Sequence, residues 1–293
     1  MTSGRNADSI SRVAVLGAGT MGHGIARVAA LSGFSVTLHD LDPSRTRAGV
    51  EKIRSGLERE VSRGRLSPIE GERALSAIGT SADLREAVQD ADLIIEAVPE
   101  DLEIKKSLFQ ALGEFCPRDA LLATNTSCLS VSRIAAAAVH PERVVGLHFF
   151  NPPSAMKLVE VVRGSETSDA TVAAAAAVAR RMGKEVIEVK DSPGFATSRL
   201  GLALGLEAMR MLEQGVASAA DIDRAMELGY GHPMGPLRVS DLVGLDVRLA
   251  IAENLHQALG ESQFRPPEIL RKKVREGKLG KKTREGFHTW PER

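Results

Sequence analysis

At 293 residues the chain is long enough for two hydrophobic cores, since domains usually run to about 100–200 residues and a single core rarely grows past ~300. Its 43% hydrophobic and 26% charged residues are those of an ordinary folded protein, which excludes a disordered or collagen-like chain. Lysine plus arginine and aspartate plus glutamate both total 38, so the chain lacks the basic footprint of a nucleic-acid binder, and any anionic ligand must be met by a local patch.

The longest apolar stretch, Thr171 to Ala179, falls far short of the ~20 residues of a membrane span. The amino terminus, Met1 to Arg12, is polar and lacks the apolar core of a signal peptide. Cys116 and Cys128 stand in no metal-ligand spacing, so neither a disulfide framework nor a metal site is expected. These readings make a reducing cytoplasm the expected setting, with neither membrane nor nucleic acid as partner.

In chain order, β-rich runs alternate with helix-patterned stretches over the first two thirds, the pattern of a parallel sheet built from βαβ units. Candidate strands are Val13–Leu16, Ser35–Asp40, Asp92–Val98, Leu121–Thr124, Val144–Phe149, Leu158–Val162 and Glu185–Val189. Several are apolar nearly throughout, as expected of strands covered on both faces. Between the first two, Met21, Ile25, Val28 and Ala29 recur at helical spacing, closed by Gly33. From Pro43 to about Ala77 the pattern is long, charged and helical, with Lys52, Arg54, Arg59, Arg63 and Arg65 among acidic residues. A solvated helical hairpin explains it; a partial clamp for a phosphorylated substrate tail is the functional alternative. After Asp191 the β-rich runs stop and helices punctuated by glycine and proline follow. The fold expected is therefore α/β: a Rossmann-type, mostly parallel sheet domain over residues 1–190, then an all-helical C-terminal domain over 191–293.

The segment Val13 to Gly22 places Gly17-x-Gly19-x-x-Gly22 directly after a strand and at the start of an amphipathic helix. Gly17 allows a tight turn, Gly19 lets the backbone approach a pyrophosphate at the positive helix end, and Gly22 lets helix and strand pack closely. Thr20 and Met21 lie within the same turn and join the candidate cofactor contacts. Asp40 follows Gly22 by 18 positions at a strand end, near the ~20 expected for a ribose-binding acid. A carboxylate there accepts from both ribose hydroxyls and repels a 2′-phosphate, so NAD is the expected cofactor. Its structural alternative is a helix N-cap before Pro43.

The chemistry is expected at Thr124-Asn125-Thr126-Ser127, at Gly146-Leu-His148-Phe-Phe-Asn151, and at Glu160, twelve positions beyond His148. Alcohol oxidation needs a base for the hydroxyl proton while hydride leaves carbon, and a histidine oriented by a carboxylate suits that near neutral pH. Ser127 can hold the substrate oxygen in line. Taken singly, each has a plain structural reading: a strand-end histidine, a solvent-facing strand glutamate, a helix cap.

In the ordered series Gly17–Gly22, Ile95–Glu100, Thr124–Ser127, His148–Pro153 with Met156–Glu160, Asp191–Phe195, His232–Pro236, Asp241–Asp246 and Gly280–Thr283, the chain resembles the 3-hydroxyacyl-CoA dehydrogenase family over nearly its whole length. It is most similar to the bacterial members that act on 3-hydroxybutyryl-CoA. The resemblance implies a catalytic His148 paired with Glu160, with Ser127 and Asn151 near the substrate oxygen and nicotinamide, and Glu100, Lys105 and Asn125 beside the cofactor. It also implies L-3-hydroxyacyl-CoA as substrate, a place in fatty acid metabolism, a cleft between the domains and a homodimer formed through the C-terminal domain.

Three departures stand out. Where the family reads Pro-Gly-Phe-x-x-Asn-Arg, this chain has Ser198 before Arg199, leaving the substrate-facing role of the asparagine to a serine. Near the end, Arg284 and His288 stand where Thr-Gly-x-Gly-Phe-Tyr is usual. Other readings are a β-hydroxyacid dehydrogenase with a catalytic lysine, which the His148–Glu160 pair opposes, and a relative acting on a sugar acid or a carrier-protein thioester. A non-catalytic dinucleotide-binding protein is a further one, opposed by the presence of His148, Glu160 and Ser127.

Overall fold

The computed structural model describes residues 7–291; the first six residues of the polar stretch Met1–Arg12 lie outside the described residues. Two compact units follow one another along the chain, the first ending at Ser192 and the second beginning at Pro193.

In the first unit β1 (Arg12–Leu16) leads into α1 (Thr20–Leu31), β2 (Ser35–His39), α2 (Pro43–Ser62), α3 (Pro68–Ser76), β3 (Ile78–Ser81) and α4 (Leu84–Val88). Then come β4 (Leu93–Glu96), α5 (Leu102–Phe115), β5 (Leu121–Thr124), α6 (Val131–Ala135) and β6 (Val144–Phe149), with β7 (Leu158–Arg163), α7 (Asp169–Arg181) and β8 (Glu185–Lys190) last. All eight strands form one sheet in the order β3-β2-β1-β4-β5-β6-β7-β8. Every pairing is parallel except β6 with β7, which is antiparallel. The order of the first six is that of a Rossmann sheet, whose winding reverses between β1 and β4 and opens a crevice at their carboxyl ends.

Each of the seven expected strands is present. The eighth, β3, was not anticipated, for a physical reason: Ile78-Gly-Thr-Ser is a four-residue edge strand, partly exposed and paired only with β2, so it needs no apolar run. The central strands bury Val13, Val15, Leu93, Ile95, Ala123, Val145 and Leu147 against Ile25 and Ala29 of α1 and Val172 and Ala176 of α7, at roughly 1.5–3 kcal/mol for each large side chain. The long charged stretch is two helices joined through Gly64 at φ +68°. Asp42 caps α2 and a Ser67–Glu70 capping box starts α3.

The second unit packs α8 (Thr197–Glu213), α9 (Ala219–Tyr230), α10 (Pro236–Val243), α11 (Leu245–Leu259) and α12 (Glu268–Arg275) around Leu202, Leu206, Met209, Leu245, Leu255, Phe264 and Leu270. Buried Asp241 then fastens the chain end, accepting from the Phe287 and His288 amides and the Trp290 indole. His288, the departure from the usual tyrosine, places Nε2 2.7 Å from Oδ2 of buried Asp223. Arg284, the departure from a glycine, sits in the left-handed region at φ +64°. Among the described residues no helix is long and apolar enough to cross a membrane.

Candidate active site

The glycine turn lies at the reversal point between β1 and β4. Gly17 takes φ +102°, and a Cβ there would meet the Ala97 carbonyl at 2.5 Å, so the residue must be glycine. A Cβ on Gly22 would overlap the Gly17 carbonyl, whereas one on Gly19 would meet nothing within 4 Å. Open backbone at Gly19, together with an α1 start that no side chain caps, fits a pyrophosphate seated on the helix end. Thr20 is exposed in the first turn of α1 and Met21 is partly buried. Asp40 follows β2 directly; its Oδ2 accepts from the Ala18 amide at 3.0 Å and its Oδ1 from the Asp42 amide at 3.1 Å. The carboxylate is thereby fixed beside the turn, and its remaining lone pairs suffice for two hydroxyls. Asp42, not Asp40, caps the following helix. These residues fit an NAD dinucleotide.

His148 and Glu160 are cross-strand partners in the antiparallel β6–β7 pair. Their separation of twelve positions is thus the register of a hairpin-like connection. His148 Nδ1 lies 2.7 Å from Glu160 Oε2; the histidine is 6% exposed and the glutamate fully buried. Glu160 is therefore not a solvent-facing strand residue. The imidazole also stands 4.5 Å from the Phe150 ring. Lys184 donates to the carbonyls of Pro153 and Met156 and pins the β6–β7 connection, residues 150–157; burial holds its pKa below the usual lysine value.

The turn after β5 is organised by Glu100. Its Oε1 accepts from the Thr126 hydroxyl at 2.6 Å, the Ser127 amide at 2.8 Å and the Cys128 amide at 3.2 Å, with the Ser127 hydroxyl at 3.3 Å. Burial pushes this carboxyl up, but Lys105, the Thr126 hydroxyl and the Ser127 amide together outweigh it and hold the group below the usual carboxylate range. Ser127 is not the cap of α6; Ser130 is, accepting from the Arg133 amide. Asn125 spends its side-chain oxygen on the Phe149 amide at 2.9 Å, tying the ends of β5 and β6 together.

Met21, Glu100, Asn125, Ser127, His148 and Asn151, with Ala97, Val98, Phe149 and Phe150, surround one cavity of about 320 Å³. Gly17, Gly19, Thr20, Gly22 and Asp40 belong to the glycine turn and the end of β2, outside this lining, and Glu160 meets the cavity through His148; Lys105 and Ser198 do not line it either. Lys105 is 1% exposed, its ammonium 2.5 Å from Glu96 and 3.2 Å from Glu100, so it bears on the cavity only through Glu100. Ser198 belongs to the second unit, a half-buried residue in the first turn of α8. Among the described residues no group of three metal-ligating side chains is placed to hold an ion.

Two family models divide the chain between them: the 3-hydroxyacyl-CoA dehydrogenase NAD binding domain matches residues 12–192 and the 3-hydroxyacyl-CoA dehydrogenase C-terminal domain residues 194–290. The chain belongs to the 3-hydroxyacyl-CoA dehydrogenase family. It is an NAD-dependent dehydrogenase, as expected from the sequence. A probable 3-hydroxybutyryl-CoA dehydrogenase of Bacillus subtilis is 43% identical over 97% of this chain and 99% of its own. A 3-hydroxyadipyl-CoA dehydrogenase of Escherichia coli is 42% identical over 96% of this chain and 59% of its own. The crystal structure of (S)-3-hydroxybutyryl-CoA dehydrogenase from Ralstonia eutropha superposes with a TM-score of 0.94 at 36% identity, covering 97% of this chain and all of that one.

Sequence reasoning passed over Glu96 and Lys184. Glu96 had a readable signal: a carboxylate closing the apolar run Leu93-Ile-Ile inside a covered strand, with Lys105 nine residues on, must be buried and paired. Lys184 had none, because its partners are backbone carbonyls that only the fold brings near.

Proposed function

We propose that this dehydrogenase interconverts short L-3-hydroxyacyl-CoA and 3-ketoacyl-CoA thioesters, with 3-hydroxybutyryl-CoA as its substrate and His148 as general base in oxidation and acid in reduction. The observation that carries this reading is the buried His148–Glu160 pair on the cavity that also holds Ser127 and Asn151. With Nδ1 engaged by Glu160, proton exchange falls to Nε2. The carboxylate fixes the ring and stabilises the imidazolium formed when the substrate hydroxyl gives up its proton. Ser127 and Asn151 hold the oxygen in line with Nε2, Ser198 takes over part of the asparagine's role, and Asp40 selects NAD. When bound, the nicotinamide accepts a hydride from the 3-carbon or returns it.

For the thioester tail, a CoA rather than a carrier protein is favoured by a second cavity, about 490 Å³, where Arg27, Lys52 and Arg59 gather beside Glu51 on the outer face of α1 and α2. We further propose a homodimer through the second unit, which exposes Leu200, Leu242, Val243 and Val247, and a cytoplasmic setting, in keeping with two free thiols.

The test is NADH formation from NAD with (S)-3-hydroxybutyryl-CoA, its R enantiomer and L-gulonate. Turnover of the S thioester alone is expected. Faster turnover of the sugar acid, or equal turnover of both enantiomers, contradicts the proposal.

A further inference from the structure

Glu96 closes β4 with both carboxylate oxygens occupied. Oε1 accepts from Lys105 Nζ at 2.5 Å and from the Val98 amide at 2.8 Å, and Oε2 from the Thr124 hydroxyl at 2.6 Å. Thr124 is its register partner on β5. Glu96 is fully buried and Lys105 is 1% exposed, so two ionisable groups have been taken out of water; burial pushes the Glu96 carboxyl up, and the Lys105 ammonium, the Thr124 hydroxyl and the Val98 amide oppose that rise. That arrangement is rarely better for stability than a well-packed apolar pair. What it offers, and an apolar pair does not, is a cation aimed at Glu100, 3.2 Å away.

Glu100 divides its oxygens, Oε2 to Lys105 and Oε1 to the donors of the Thr126–Cys128 turn. Its side chain is one third exposed, so without the ammonium it is free to swing toward water and release the turn. Ser127 lies on that turn, and a displacement of about 1 Å at a reacting group costs up to roughly 10²-fold in rate.

We propose that the Glu96–Lys105 pair is a positioning device for the reaction: Glu96 aims the Lys105 ammonium, which holds Glu100 ionised and clamped on the turn that carries Ser127. The groups facing Glu100 are Lys105 from α5, the Thr126 and Ser127 hydroxyls and the Cys128 thiol from the turn after β5, with Glu96 behind Lys105. The thiol is pushed up to about 11 by burial and by the Glu100 charge, so it stays neutral while Glu100 titrates.

The inference rests on Ser127 as the group that orients the substrate oxygen. Ser127→Ala tests that reading separately: a Ser127→Ala enzyme as fast as the wild type overturns it and the inference built on it. For the pair itself, kcat/KM for NADH with acetoacetyl-CoA is measured against pH, beside thermal melts, in Glu96→Gln, Glu96→Asp and the double variant Glu96→Gln/Lys105→Met. Glu96→Gln is expected to lose about tenfold in kcat/KM at pH 7, with Glu96→Asp recovering part of it. The double variant leaves no unpaired buried charge and covers the case in which the single variant fails to fold. Its melting temperature is expected near that of the wild type, while kcat/KM stays low and its acid limb moves up by about one to three pH units, the usual influence of a nearby opposite charge. A double variant that recovers kcat/KM and acid limb together with stability shows the pair to be packing only and overturns the proposal. So does a Glu96→Gln enzyme that keeps wild-type kcat/KM.

Discussion

Replacing Glu160 by glutamine keeps the shape of a fully buried side chain and removes its charge from His148 Nδ1, 2.7 Å away. In the proposed oxidation the imidazole becomes a cation, and the carboxylate is the counter-charge that favours it. Two unit charges about 4 Å apart attract by about 4 kcal/mol at an effective dielectric of about 20. At about 1.4 kcal/mol per tenfold in rate, losing most of that attraction lowers kcat by about 10²–10³. A second effect works in the same direction. The glutamine amide can donate to Nδ1 and so favour the tautomer with its proton on Nε2, which is the wrong one for a base. The assay is the appearance of the NADH absorbance with NAD and saturating (S)-3-hydroxybutyryl-CoA, alongside a titration of NAD binding, which should change by no more than about twofold because Glu160 lies off the cofactor turn. A Glu160→Gln enzyme with kcat within about threefold of the wild type would refute the assignment of Glu160 as the orienting carboxylate.

Three further outcomes are expected. Asp40, fixed by the Ala18 and Asp42 amides, should give NADH about a 10²-fold advantage over NADPH in kcat/KM, from about 2–3 kcal/mol of repulsion against the 2′-phosphate; Asp40→Ser should shrink that ratio, and a wild-type preference for NADPH contradicts the reading. In the basic stretch, Arg54 pairs with Glu51 and lines a separate groove between α2 and α3, so the informative charge reversal is Lys52→Glu/Arg59→Glu. It should raise KM for acetoacetyl-CoA about tenfold at low salt, with the difference fading near 0.5 M as charges are screened; an unchanged KM at low salt makes the patch a solvated face. Arg284→Gly should raise the melting temperature by about 1–3 °C, corresponding to about 0.5–1 kcal/mol, because a left-handed residue with a Cβ costs about 1–2 kcal/mol and glycine returns part of that as chain entropy; a lower melting temperature shows that contacts of the arginine side chain outweigh its backbone strain.

Much of the site was legible because its signals are local or periodic. The GxGxxG turn and Asp40 follow from strand, turn and helix in sequence, whereas the His148–Glu160 pairing comes from the family resemblance, and the fold shows its twelve-residue spacing to be an antiparallel register. Other features depend on tertiary neighbours. The resemblance puts Lys105 beside the cofactor, and only the fold shows it enclosed between Glu96 and Glu100. Asn125 lines the cavity, and that its side-chain oxygen serves the Phe149 amide is visible only in the fold. The edge strand β3 carries no apolar run because it has a neighbour on one side only. Ser127 and Glu160, taken singly, favour their structural readings in sequence; in the fold Ser130 is the cap of α6 instead of Ser127, and Glu160 is buried rather than facing solvent.

The most direct test of the central proposal, that His148 moves the proton, compares wild type and His148→Gln in NADH oxidation with acetoacetyl-CoA. A loss of about 10²–10⁴ in kcat with NADH affinity retained is expected for a positioned acid–base group. Near-normal turnover in the His148→Gln enzyme would remove His148 from the mechanism.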